Sequence, residues 1–449
     1  MGRLFGTDGI RGVANRDLSV ELASQIGTAL AMILREELDH KPRVFVGKDT
    51  RASSDMIESA LVAGLCAGGA DAVSLGVVPT PAVAYLTTLF GMDGGVMISA
   101  SHNPYPYNGI KIFGAGGYKL TDQQENQMEE IILDHSVPQA LAPAQLVGRH
   151  THREDLAQDY VRYVAGTVSG GVGGIRVLVD CAHGSASATA RALFDLVGAR
   201  AEIVNASPSG LNVNEACGST HVENLAKQVV EGGYQLGVAF DGDADRCLAV
   251  DELGRVVNGD QLIAVFAKDM KDRGVLEKNT VVATVMSNLG FFQFAGRQGL
   301  DTRATKVGDR YVLETMVKEG FNMGGEQSGH IIFSDYMTTG DGQLSAVQLL
   351  AVMARTGEPL SRLTRVITIL PQVLLNMEAT VDMKAGLAES LELTRAVRLC
   401  EEQLGDRGRI LIRPSGTEPL IRVMVEGEDQ QEIEAIAQRV AEAIRENLG

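Results

Sequence analysis

At 449 residues the chain is longer than one hydrophobic core can organise, so three or four domains are expected. Its 45% hydrophobic and 22% charged residues describe an ordinary globular protein, and a net charge of −17 argues against nucleic acid or an anionic membrane surface as partner. No apolar run approaches the ~20 residues needed to span a bilayer, so no membrane partner is expected either.

Five scattered cysteines (66, 181, 217, 247 and 400), without a Cys-x-x-Cys, fit neither a zinc site nor a disulfide framework and suit a reducing compartment. The opening Met1 to Gly6 lacks a signal peptide's apolar stretch, and a cytoplasmic location is expected. The basic residues Arg11, Lys48, Arg51, Lys111, Lys119, Lys306, Arg310, Arg413 and Arg422 fall in or near expected loops, where they could focus a small anionic ligand.

In chain order, Leu18 to Glu37 has helical spacing, Arg43 to Gly47 reads as a strand, and Ser54 to Gly69 as a helix. Ala72 to Val78 is a strand closed by Pro79-Thr80-Pro81, and Gly94 to Ser99 is a strand running into a loop. A polar seam with His150 and His152 follows, read as a solvated linker. A second α/β unit begins with the strand Ile175 to Val179, and a third opens near Gly259 with a helix to Lys271, a strand Val281 to Val285 and a helix Leu289 to Gln298. After Pro371 come a helix (Leu387 to Leu404), two strands (Ile410 to Arg413, Ile421 to Glu426) and a helix (Gln430 to Asn447). The expected fold is α/β: three similar α/β domains with mixed sheets (1–150, 151–255, 256–370) and a smaller C-terminal α+β domain (371–449) around a central cleft.

Four loops carry chemistry. Asp241-Gly242-Asp243-Ala244-Asp245-Arg246 lies between two apolar runs, and three carboxylates so close repel one another unless a cation neutralises them. All-oxygen ligands suit a hard divalent ion such as Mg²⁺, which works with a few carboxylates plus phosphate oxygens. A calcium-loop reading fails at its sixth position, where Arg246 replaces the required glycine. Ser101 heads a loop stiffened by Pro104 and Pro106, a suitable mount for a nucleophile that needs a metal or base to activate it. Gly324 to His330 sets Glu326 and Ser328 between glycines, as sugar-hydroxyl binding requires. Arg413-Pro414-Ser415-Gly416-Thr417-Glu418-Pro419 mixes a guanidinium, hydroxyls and small-residue N–H groups, able to cradle a phosphate. No Walker motif and no Gly-x-Gly-x-x-Gly helix opening is present.

These four motifs, in this order and over the whole chain, resemble those of the α-D-phosphohexomutase superfamily. The opening Phe5 to Gly12 and Gln327 look most like its bacterial amino-sugar branch. The resemblance implies interconversion of glucosamine 6-phosphate and glucosamine 1-phosphate, on the way to UDP-N-acetylglucosamine and the cell wall. It implies a phosphoserine at Ser101 that joins Asp241, Asp243 and Asp245 around Mg²⁺, and a glucosamine (or other hexose) 1,6-bisphosphate as intermediate and activator. Glu326 and Ser328 would hold sugar hydroxyls, and Arg413, Ser415, Gly416 and Thr417 the phosphate not being transferred, with Arg246 and Lys306 as further substrate contacts. Arg11, Lys111 and His330 are candidates for proton transfer or charge stabilisation. The partner is a small sugar phosphate. A homodimer is an open possibility, and movement of the last domain about the Pro371 region is expected. Glucose or mannose phosphate is the alternative substrate. An aspartate-nucleophile phosphatase is disfavoured by Asp245, and a non-catalytic sensor would not need both nucleophile and triad.

Overall fold

Residues 3–134, 141–387, 389–414 and 419–448 are described by a computed structural model. The first sheet has six strands: β1 (Ile10–Val13), β2 (Arg43–Lys48), β3 (Asp71–Val77), β4 (Gly94–Ile98), β5 (Tyr107–Gly114) and β6 (His150–His152), ordered β1-β5-β4-β2-β3-β6. The second sheet joins β7 (Arg176–Asp180), β8 (Arg200–Val204), β9 (Leu236–Phe240), β10 (Cys247–Asp251) and β11 (Val256–Val257) in the order β11-β10-β9-β7-β8. A third sheet orders β12 (Thr280–Thr284), β13 (Asp301–Thr305), β14 (Met323–Gly325) and β15 (Ile331–Phe333) as β13-β12-β14-β15. The last holds β16 (Gln372–Glu378), β17 (Gly408–Pro414) and β18 (Leu420–Gly427), all antiparallel, with β18 central.

One topology is repeated three times. The runs β3-β2-β4-β5, β8-β7-β9-β10 and β13-β12-β14-β15 each place three parallel strands side by side and close with an antiparallel fourth. Parallel strands are covered on both faces, so β4 and β9 read as continuous buried runs, GGVMI and LGVAF. The third and fourth strands of each repeat are joined by a turn at a sheet end. Those three turns are Ser99 to Pro106, Asp241 to Arg246 and Glu326 to His330.

Two local expectations change. Residues 107–111, read as part of the Ser101 loop, belong to β5, because Ile110, Ile112 and Phe113 are buried while Asn108, Gly109 and Lys111 disguise the strand. His150 and His152 do not sit in a free linker. They form an edge strand paired with β3, where His150 Nε2 lies 2.8 Å from Ser74 Oγ.

The chain forms two compact units, one of Met1–Met286 with Leu300–Arg365 and the other of Ser287–Gly299 with Val366–Gly449. The helix Leu289–Gln298 follows β12 in sequence yet belongs to the C-terminal unit. There Asn288 donates to Leu370 O and the Leu289 N–H donates to Glu426 Oε2. That unit's core is the face Ile433, Ile436, Val440 and Ile444 of the helix Gln430–Leu448, at helical spacing, against Ile421, Val423 and Val425 of β18. Its preceding helical stretch divides in two, Val381–Gly386 and Leu391–Leu404, the second capped by Ser390 Oγ accepting from the Leu393 N–H. No helix among the described residues is long and apolar enough to cross a membrane.

Candidate active site

The first two turns of the larger unit meet at Ser101, and the third adjoins the second through the Arg246–His330 bridge. The Ser101 side chain is fully buried, its φ is +52°, and Oγ donates to Asp241 Oδ2 at 2.5 Å. The neighbouring His102 is pushed down to about 4 by burial and by the cations Arg246 and Arg11, so its ring is neutral.

Asp241, Asp243 and Asp245 are all buried and offer oxygens within 4.8 Å of one another. The Arg246 N–H donates to the second Asp241 oxygen at 3.2 Å. Asp243 Oδ2 accepts from Thr80 Oγ1 at 2.6 Å and from Lys111 Nζ at 2.9 Å, and Lys111 also reaches Asp245 Oδ2 at 3.1 Å. Burial, then the repulsion of Asp245 and Asp243, raises the Asp241 pKa well above the carboxylate range. Burial also opposes charge on Asp245, but Lys111 and His330 hold it well below that range. Lys111 is itself fully buried, and Asp243, Asp245 and Asp8 overcome the burial to keep it protonated.

Lys111, Arg246 and His330 all face the triad, yet Asp243 Oδ1 and Asp245 Oδ1 are buried with no hydrogen-bond partner. Two orphaned oxygens beside a third carboxylate fit a hard divalent cation, which would take them as ligands. The triad can therefore hold a metal ion.

A buried ion chain surrounds this centre. Asp8 takes Lys111 (3.3 Å), Lys119 (2.7 Å) and Arg11, and Lys119 continues to Asp309 Oδ2 at 2.5 Å. His330 lies between Asp245 Oδ2 (3.7 Å from Nδ1) and Asp309 Oδ2 (3.5 Å from Nε2), and the Gly340 N–H donates to its Nε2 at 3.1 Å. Burial lowers the His330 pKa, and the carboxylates of Asp245, Asp309 and Glu326 together outweigh it. Arg246 stays charged because Asp245 and Asp241 offset its burial.

Glu326 accepts from the Gly308 N–H at 3.1 Å and is raised by burial, and Ser328 Oγ is buried without a partner. Lys306 is exposed, its Nζ 5.9 Å from the centre of the Tyr311 ring, outside the buried cluster. Arg413 belongs to the C-terminal unit, where it is the cross-strand partner of Arg422. Burial and that neighbouring cation lower its pKa. Ser415, Gly416 and Thr417 lie outside the described residues.

Sequence reading gave no role to Thr80, Asp309 or Asn214. Each is a single polar residue whose partner is 111 to 190 positions away, and only Thr80, wedged between Pro79 and Pro81, carries a local signal.

The chain belongs to the phosphoglucomutase/phosphomannomutase family, whose α/β/α domains I, II and III match residues 2–137, 158–254 and 258–368 and whose C-terminal domain matches 374–443. Within it, the chain is 51% identical over 444 residues to the phosphoglucosamine mutase of Clostridium tetani, covering 99% of each. The fold is shared with a phosphoglucomutase/phosphomannomutase family protein from Burkholderia thailandensis (TM-score 0.83, 23% identity, 99% of this chain and 97% of that one). It is shared also with N-acetylphosphoglucosamine mutase of Aspergillus fumigatus, solved with GlcNAc-6P and magnesium (TM-score 0.69, 18% identity, 99% and 96%).

Proposed function

We propose that the protein is a phosphoglucosamine mutase, an isomerase that interconverts glucosamine 6-phosphate and glucosamine 1-phosphate through a phosphoserine at Ser101. The observation that carries this reading is the 2.5 Å hydrogen bond from the buried Ser101 Oγ to Asp241, one of three clustered carboxylates that need a cation. It is joined by half-identity over the full chain to a protein of that name.

In this reading the Oγ–P bond of phospho-Ser101 breaks as a P–O bond forms to the free sugar hydroxyl, whose proton passes to a nearby base. The resulting 1,6-bisphosphate turns over, and its other phosphate returns to Ser101 while the vacated sugar oxygen regains a proton. Mg²⁺, held by Asp241, Asp243, Asp245 and the Ser101 phosphate, would neutralise charge on the transferring group. Lys111, fixed beside the triad, stabilises that charge directly. Arg11 and His330 are further candidates for proton transfer or charge stabilisation near Ser101, and His330 is held by contacts with Asp245 and Gly340. Glu326, Ser328, Arg246 and Lys306 would orient the sugar. Arg413, Ser415, Gly416 and Thr417 would take the distal phosphate.

The division into domains 1–150, 151–255, 256–370 and 371–449, one functional loop to each, is part of the same reading, as is action in the cytoplasm.

Purified protein assayed with glucosamine, glucose and mannose phosphates tests it. Glucosamine phosphate should have a kcat/KM at least ~10-fold higher, about 1.4 kcal/mol of transition-state preference. Equal or reversed values would instead make the protein a phosphomannomutase or phosphoglucomutase.

A further inference from the structure

Arg51 is the largest fully buried side chain, and its five donor hydrogens are all spent around the Ser101 loop. Nη2 donates to Ser101 O (2.8 Å) and Asn103 O (2.7 Å), Nη1 to Pro104 O (2.7 Å) and Tyr107 O (2.9 Å), and Nε to Asp49 Oδ2 (2.7 Å). The same Asp49 oxygen accepts from Ser99 Oγ at 2.6 Å, and Ser99 Oγ accepts from the Ser101 N–H at 2.9 Å. The backbone donor and acceptor of Ser101 thus both lead back to one Asp49–Arg51 pair. From the second repeat, Asn214 Nδ2 donates to the same two carbonyls, Ser101 O (2.9 Å) and Asn103 O (3.1 Å). The metal turn comes as close: a Cβ on Gly242 would stand 2.6 Å from Ser101 O.

A residue with a Cβ does not hold a left-handed φ without help, since that conformation costs roughly 1–2 kcal/mol. Serine at φ +52° aims Oγ at Asp241, and relaxation to right-handed backbone would turn it away. The Arg51 charge is balanced by the adjoining Asp49, so its effect on the site is geometric.

We infer that Arg51 and Asn214 are positioning residues for phosphoryl transfer, gripping the Ser101 carbonyl from two repeats so that the strained nucleophile stays aimed at the triad. The inference rests on Ser101 being the phosphorylated residue. Both side chains spend donors on the carbonyls of Ser101 and Asn103. They act through Ser101, and a misplacement of about 1 Å at a reacting atom costs on the order of 100-fold in rate.

The test uses full-length Arg51→Lys and Asn214→Gly. Lysine keeps the charge beside Asp49 but cannot serve four carbonyls, and glycine removes the Asn214 side chain while tolerating its φ of +59°. The readouts are kcat and KM for glucosamine 6-phosphate, the melting temperature, and the ³¹P resonance of the phosphoserine. Expected for Asn214→Gly is a fall in kcat of ~10-fold or more with KM and melting temperature held, and a displaced or broadened ³¹P line. Should Arg51→Lys not fold, Asn214→Gly decides alone. Wild-type kcat and an unmoved ³¹P line in Asn214→Gly would overturn the inference, as would a loss of kcat that merely follows loss of folded protein. If the wild-type protein is active but carries no phosphate on Ser101, the reading of Ser101 fails first and takes this inference with it.

Discussion

Lys111 Nζ, on β5 of the first repeat, and Asp243 Oδ2, in the β9–β10 turn of the second, stand 2.9 Å apart, and both are buried. Thr80 claims the same carboxylate oxygen, which leaves Asp243 Oδ1 as the unpartnered one. Asp243→Asn should therefore melt close to wild type in metal-free buffer, because one of three repelling charges is gone while Lys111 keeps Asp245 and Asp8. The stabilisation that Mg²⁺ gives the wild type should shrink, and turnover at saturating Mg²⁺ should fall at least ~100-fold. Melting curves with and without Mg²⁺, beside turnover, check this. A variant that melts early in metal-free buffer yet turns over normally would mark Asp243 as a structural turn residue.

Ser101→Ala removes the proposed nucleophile and the donor to Asp241 together. Turnover should vanish, and peptide mass spectrometry should find phosphate on Ser101 of the wild type and on no residue of the variant. Phosphate on Asp241, or an active alanine variant, would point instead to an aspartate nucleophile.

Asp341 gives a pH dependence beside the metal turn, where the N–H of its neighbour Gly342 donates to Ala244 O. Burial raises its carboxyl to about 7, although it caps the helix Gly342–Thr356 and accepts from Tyr160. Between its ordinary 3.8 and about 7 the unfolded chain ionises while the folded one does not, so this group costs stability as pH rises through that window and the cost levels off above it. Asp341→Asn keeps the cap and cannot ionise. In metal-free buffer its melting temperature relative to wild type should be higher at pH 8 than at pH 4. A difference that does not change with pH would contradict the assignment.

Gly242→Ala tests the close approach of the metal turn to the nucleophile. The added methyl would meet Ser101 O at 2.6 Å, a backbone atom that cannot swing aside, so one turn must shift. A loss of about 1–3 kcal/mol in stability is expected, with a larger proportional fall in kcat. Unchanged activity would show that the two turns tolerate separation.

The loops at Ser101, Asp241 to Arg246 and Glu326 to His330 stood out because each crowds unusual polar chemistry into a few consecutive residues at the end of an apolar run. The three α/β units and two strands of the C-terminal sheet were likewise visible in the rhythm of apolar segments, while its third strand, Gln372–Glu378, was not. What the sequence hid was pairing at a distance. β5 escaped because Asn108, Gly109 and Lys111 make a buried strand look like loop, although Lys111 is polar there only to serve Asp243 and Asp245. The exact repeat of topology left no residue period, since what the three copies share is strand order and burial. Asp309 becomes a neighbour of Lys119 only through folding, across 190 positions.

Because the Ser101, Asp241 and Glu326 turns occupy the same corner of three copies of one strand arrangement, the chain resembles a single tool holder cast three times and fitted with three different bits. Each bit can be exchanged without recasting its holder. The Glu326 to His330 turn could be reshaped toward another sugar while the sheets that fix Ser101 and Asp241 stay as they are. A lineage built this way can change what it accepts and keep how it reacts.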